Sequence, residues 1–392
     1  MTMPDVYISR QPLVNRQSKI IATRLSLHLT DGASTGDAAA ALDALAEFWP
    51  QGEKLVFIDC ADLPCDASLA NWQAPANATL EVRSSSLLEP DAAFLAALQA
   101  TQTPLCLVYD PQAQASLSAG VNFRFIGFDA QRYTPAQIKI MAAQTQPYGI
   151  GVALNVEGGD NFQACLDAGV IAAASWFFQH PTRAPAKTLN AGQTQIIRVI
   201  NLVRKNADIK EIETALKQDV ALSYKLLRYI NSAGFGLQCE IQSFRHAVTI
   251  LGYDKLNKWL SLLLATASKD PMAPALMHTS LTRARLMENL AHGLVSPQEH
   301  DNLFITGAFS MLDALLGVSM DKVLETMSLP EAITDALLGH GGLYGPFLEL
   351  AKVSENNDGA AIADQAVMLG LSADQFNRAQ IQALAFAETM EL

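Results

Sequence analysis

The sequence predicts an α/β barrel, TIM-like and shortened, followed by an all-α domain. Three observations predict it. Through the first half, short apolar runs rich in β-branched residues alternate with helix-like segments. Beyond residue 193 the apolar residues fall instead at i, i+3/i+4 and i+7, the stripe of helices facing a core. Between the two patterns lies a stretch of proline, glycine and small polar residues that reads as a linker. The expected division is 1–180 barrel, 181–193 linker and 194–392 helical domain, and a chain of 392 residues suits two domains better than one.

Taken in order, strand-like runs stand at 19–29, 54–58, 78–82, 104–109, 124–128, 149–154 and 169–174. Helix-like segments occupy 39–49 and 91–100, and Thr134-Pro135-Ala136-Gln137 reads as a capping box with proline at the first helical position. Such alternation implies parallel strands joined by crossover helices. Seven strands in this half suggest a barrel. A full one takes about 250 residues, so either some helices are trimmed or the barrel is incomplete. Barrel chemistry sits at the C-terminal strand ends, where Asp59, Glu81, Asp110, Asp129 and Glu157 fall. A ring of carboxylates there suits a divalent cation; acids at strand ends also simply cap the next helix or meet solvent.

In the second half, Ile196, Ile200 and Val203 share one helical face, and Asp208 to Glu211 reads as a capping box. Val220, Tyr224, Leu227 and Ile230 form the next stripe, ended by Asn231 and Gly234. Ser243 is placed to cap a helix burying Ala247, Val248, Ile250 and Leu251, which Gly252 stops. Further helices are expected at 276–290 and 302–316, from Pro330-Glu331, and after a Ser372–Gln375 cap. His300-Asp301 lies just ahead of one of them, with Asp301 read as its N-cap, and His278, His292 and His340 read as structural.

Composition excludes some classes. A net charge of −12 and no long Lys/Arg run argue against nucleic-acid binding through phosphate neutralisation. The N-terminus lacks a basic segment followed by an apolar one, and no apolar run could span a bilayer. Five cysteines without a C-x-x-C pair read as buried thiols in a reducing cytoplasm, with no zinc site.

The pattern D-x-x-L-S-x-K-L-L-R-x-I-N-S-A from Asp219, followed by I-x-S-x-x-x-A-V-x-I-L-G, resembles the HDOD domain, a helical relative of HD metal-dependent phosphohydrolases used in bacterial signalling. On this resemblance Asn231, Gly234 and Gly252 are its structural signature. Ser310 and Met311 stand where the HD metal pair would be, and neither is a ligand for a hard cation. Arg10-Gln-Pro-Leu13 ahead of the strand series resembles the EAL domain, the cyclic di-GMP phosphodiesterase barrel, over roughly residues 5 to 180. The resemblance puts Arg24 at a lost metal-ligand position, Asp59 where the family has Asn, and Glu81 on the family's glutamate. Asp110 keeps one of a paired Asp and Asp129 is retained. The family's Lys becomes Gly127, its later Glu falls on Leu154 with Glu157 kept nearby, and its last Gln falls on Ala174.

These matches imply a degenerate barrel and a helical half that has lost its metal pair, with no catalytic residue, no metal and no cofactor. The expected protein is a non-enzymatic cytoplasmic regulator that binds signalling proteins through its HDOD domain. Two alternatives stand beside it: a cyclic di-GMP receptor without turnover, and a residual cyclic di-GMP phosphodiesterase. No nucleic acid and no membrane insertion are expected.

Overall fold

The computed structural model describes residues 5–30, 32–61, 63–179, 189, 191–217, 243–265 and 271–390. The chain forms two compact units, one of Met1–Phe178 with Lys352–Ile381, the other of Gln179–Ala351 with Gln382–Leu392. The expected helical domain, 194–392, includes 352–381, whereas in the structure that segment groups with the barrel.

In the first unit, β1 (Val6–Asn15), β2 (Ile20–Leu29), β3 (Leu55–Cys60), β4 (Ala78–Arg83), β5 (Leu105–Val108), β6 (Phe125–Asp129), β7 (Ile150–Leu154) and β8 (Ala172–Ala174) close in sequence order into an eight-stranded barrel. The sequence reading missed β1. Arg10-Gln-Pro-Leu13, a motif ahead of the strand series in the sequence reading, lies within β1, and a proline there removes a ladder donor that a central strand would need. β1 instead runs antiparallel to both neighbours, pairing Gln11 with Arg24 on β2 and Leu13 with Ala174 on β8. All other neighbouring strands are parallel.

The barrel is closed, and its helices are trimmed. α1 (Thr35–Ala44) follows β2, but only α2 (Ala67–Ala70) joins β3 to β4 and a 3₁₀ segment, Pro111–Ser118, joins β5 to β6. α3 (Ala92–Ala100), α4 (Pro135–Thr145) and α5 (Gly159–Asp167) make the longer crossovers. The Thr134 capping box forms, with Thr134 Oγ1 accepting from Gln137 N–H and Gln137 Oε1 accepting from Thr134 N–H. The interior is packed by Leu13, Ala22, Phe57, Cys106, Phe125, Val152, Leu154, Ala172 and Ala174. Phe57 and Phe125 touch with ring centroids 5.1 Å apart.

β8 reaches only Leu13 to Asn15 of β1. The C-terminal segment serves the other half of that edge. Asn377 accepts from Ile8 N–H at 3.1 Å and donates to Val6 C=O at 2.6 Å, while Gln380 donates to Ile8 C=O at 2.7 Å. Arg10 N–H donates to Ser354 C=O, and the Arg10 side chain forms a buried ion pair with Glu355 at 2.6 Å.

The second unit is helical. α6 (Ala191–Arg204) begins inside the segment expected as linker, and α7 (Ile209–Lys217) follows. Pro181, Pro185, Asn231 and Gly234 lie outside the described residues. α8 (Phe244–Ala265) is broken at Gly252, whose φ of 73° lies in the left-handed region open to glycine. Ser243 caps it as expected, accepting from His246 N–H. Ile250, expected to be buried, is 45% exposed because the helix turns that side to solvent. α9 (Ala273–Leu290) and α10 (His300–Phe309) cross so closely that a Cβ on Gly307 would sit 2.6 Å from the Ala284 backbone. α11 (Leu312–Leu316), α12 (Met320–Glu325) and α13 (Glu331–Leu338) complete the turn of the chain. α14 (Gly345–Val353) follows; α15 (Gly359–Met368) belongs to the first unit, and α16 (Ala373–Thr389) is divided between the units after Ile381. Among the described residues no helix is long and apolar enough to cross a membrane.

Candidate functional site

The barrel's C-terminal mouth gathers most of its buried charge. Arg24 stands mid-strand on β2, Asp59 near the end of β3 and Glu81 on β4, and pleat alternation turns all three inward. The Arg24 guanidinium donates through Nε and a terminal nitrogen to both Glu81 oxygens at 2.8 Å each. It also donates to Asp59 Oδ2 at 2.9 Å and to Asn155 Oδ1 at 3.1 Å. This is the bidentate geometry that the planar fork of arginine favours. Burial opposes the charge on Arg24, but Glu81 and Asp59 outweigh it and hold the guanidinium protonated. Burial also pushes the Glu81 carboxyl up, against the pull of Arg24.

From Asn155 the network continues outward. Its amide donates to Asp129 Oδ1 at 3.2 Å, Asp129 accepts from Gln131 N–H, and the Gln131 amide donates to the exposed Glu157 at 3.1 Å. Asn155 follows β7 with φ of 53°, a left-handed backbone that Asn tolerates better than most residues. Asp110 stands apart from this cluster. It caps Gln112 N–H and pairs with Arg132 at 2.9 Å. Burial works to raise its carboxyl, but the Gln112 N–H, the Tyr133 hydroxyl and the Arg132 charge together hold it below the usual range.

The five strand-end acids therefore divide. Asp59 and Glu81 are joined by Arg24, Asp129 and Glu157 continue the chain outward, and Asp110 does the helix-capping work that the plainer reading assigned to such acids. Asn155, Gln131 and Arg132 were not foreseen; the one signal for Asn155 was an asparagine directly after a strand. As arranged, these residues do not fit a divalent ion. Both inner carboxylates are committed to a cation, and among the described residues no group of three or more His, Cys, Asp or Glu is placed to hold a metal.

Gly127 and Leu154 lie on the neighbouring strands β6 and β7. A Cβ on Gly127 would meet Leu154 Cδ1 at 2.8 Å, so the leucine fills the space above the glycine. Ala174 faces the same packed interior.

In the helical unit, Ser310 ends α10. Its hydroxyl donates to Gly307 C=O at 2.7 Å and accepts from Arg283 at 3.1 Å, and Met311 is buried. Asp301 was read as an N-cap but lies in the first turn of α10, after Glu299 at the cap position. It sits 3.3 Å from Lys258, which also pairs with Glu288 and lies over the Phe304 ring. His292 contacts the Glu288 and Asn289 carbonyls and packs on His300.

Comparison with known proteins adds a family and relatives. The HDOD domain matches residues 188–324, so the helical part carries an HDOD domain. The chain is 28% identical over 238 residues to the cyclic di-GMP phosphodiesterase CdgJ of Vibrio cholerae, a match covering 60% of this chain and 55% of that protein. It thus spans little more than half the length of this relative. It is 24% identical over 378 residues to the uncharacterized protein YuxH of Bacillus subtilis, covering 90% of this chain and 91% of that one. Among solved structures it is similar to the FimX EAL domain of Pseudomonas aeruginosa bound to c-di-GMP. That match has a TM-score of 0.33 and 11% identity, and covers 45% of this chain and 90% of that one. The expectation that the chain is no enzyme is corrected here. CdgJ is a phosphodiesterase, and the substitutions at individual barrel positions do not establish that turnover is lost.

Proposed function

We propose that the chain is a cyclic di-GMP signalling protein, in which the barrel mouth receives the dinucleotide and the HDOD half passes the result to a protein partner. The observation that carries this is the Arg24 cluster, a buried guanidinium bridging Glu81, Asp59 and Asn155 at the C-terminal end of a closed barrel. Ligands of such barrels enter at this end. The similarity to CdgJ supports the choice of dinucleotide.

Around the buried cluster the mouth offers what a cyclic dinucleotide needs. The Arg132 guanidinium, 59% exposed, supplies positive charge for a phosphodiester. It lies 5.7 Å over the Tyr133 ring, a pairing on which a base can stack. The exposed carboxylate of Glu157 and the neighbouring Asp129 suit the donor edge of guanine. Arg24 keeps Glu81 and Asp59 from presenting bare negative charge to the phosphates.

Calorimetric titration of the full chain with cyclic di-GMP, with and without magnesium, tests this. Saturable binding is expected, weakened about tenfold or more by Arg132→Ala, since a charged hydrogen bond contributes about 1.5–3 kcal/mol. Release of the linear dinucleotide, followed in the same samples, reads turnover. No binding under either condition overturns the proposal.

A further inference from the structure

Beside α6 and α12 the helical unit carries a groove of about 800 Å³. Its apolar lining includes Ile197, Leu202 and Val318, and its cations are Arg198, Lys205 and Lys322. We propose that this groove docks an acidic amphipathic helix of a partner protein. The proposal rests on the reading that the HDOD half serves a protein partner, and it supplies the chemistry of that partner.

Charge is the first argument. The chain carries a net −12, yet three cations and one acid, Glu325, line this groove. Lys205 and Lys322 are exposed, and among the described residues neither has an ion-pair partner. A local reversal of sign beside an apolar floor selects a ligand that is both acidic and apolar.

Shape is the second argument. The wall made by α6 and the residue after it runs from Thr194 to Lys205, roughly 16 Å at the rise of an α-helix, or about three turns. Arg198 and Lys205 lie two turns apart along it, roughly 10 Å. Carboxylates at i and i+7 of a docked helix have the same separation, with apolar residues at i+3 and i+4 between them. Lys322 offers a contact from the opposite wall.

Rigidity is the third argument. Asn201 donates to Thr326 C=O and accepts from Ser328 N–H, both at 2.9 Å. Arg204 donates to Ser328 C=O, also at 2.9 Å. These bonds tie α6 to the turn after α12, so the walls stand in place before a ligand arrives and little ordering is left to oppose binding.

The test uses the full chain and fluorescence anisotropy with a labelled synthetic amphipathic helix of about four turns, with leucines on one face and Glu at i and i+7. Saturable binding that weakens with salt is expected. Lys205→Glu with Lys322→Glu should weaken it about tenfold or more, the effect of roughly 1.4 kcal/mol. A peptide with Lys in place of both Glu should bind the charge-reversed variant better than the natural chain. Circular dichroism confirms that the variant is folded. Cyclic di-GMP titrations of both chains separate the two proposals, because neither substitution touches the barrel. Absence of saturable binding overturns the inference, as does equal binding of the two peptides. Binding of dodecanoate, added as a single-anion amphiphile, in preference to the acidic peptide also overturns it.

Discussion

Arg24 has its guanidinium committed to Glu81, Asp59 and Asn155. Without it, two carboxylates at 4% and 8% exposure would face each other in the barrel with only Arg83 as a weaker counter-charge to Glu81. Removing one partner of a buried ion pair costs about 3–5 kcal/mol, mostly from the charge left behind. Arg24→Met should therefore lower stability by about that amount in chemical denaturation at neutral pH. The vacated carboxylates should then attract a hard divalent ion, so millimolar magnesium or manganese should raise the variant's melting temperature and leave the natural chain's unchanged. A variant as stable as the natural chain, or one indifferent to both ions, contradicts this account. The sequence showed a cation among acids but not its reach. Asp59 and Glu81 stand out in the sequence because they fall at strand ends, and Arg24 because of the family resemblance. Asn155 does not, since its role depends on a left-handed φ and on a partner 131 positions away.

Elements were most legible where a local rule governed them. The Thr134 and Ser372 capping boxes and the Gly252 break all follow from a few adjacent residues and appear as read. β1 was hidden because its proline speaks against a strand, and its antiparallel pairing on both sides breaks the parallel pattern that revealed the others. The fit between β6 and β7 is also non-local. Gly127 and Leu154 read as separate departures from a family pattern, whereas in the barrel they are one packing unit. Gly127→Ala should destabilise the protein by about 1–3 kcal/mol through overpacking. Leu154→Ala opens room for that methyl, so the double variant should be less destabilised than the sum of the two single ones. Additive losses in denaturant melts would mean that the two residues do not share space.

At the scale of the whole molecule, the chain leaves the barrel unit at Phe178 and rejoins it at Lys352. The first crossing falls just ahead of the stretch 181–193 that reads as a linker. Nothing local marks the second, because Asn377 meets Val6 across 371 positions of sequence. The bonds of Asn377 and Gln380 to Val6 and Ile8, the Ser9–Asn357 hydrogen bond and the Arg10–Glu355 ion pair would be lost from β1 if the chain stopped before residue 352. Each buried backbone group left without a partner costs about 1–3 kcal/mol. A bared strand edge also invites pairing with other chains. Fragment 1–178 should therefore melt well below the full chain's barrel and aggregate as it is concentrated, although it contains every strand. Joining residues 352–390 to it through a flexible Gly/Ser linker should restore cooperative unfolding and a monomer on sizing columns. In the joined fragment, Asn377→Ala with Gln380→Ala should undo much of that gain, since the substitutions remove the bonds to Val6 and Ile8 and leave the helix otherwise intact. If 1–178 alone unfolds at the midpoint of the joined fragment, the C-terminal return is a passive neighbour of β1 and contributes nothing to closing the barrel.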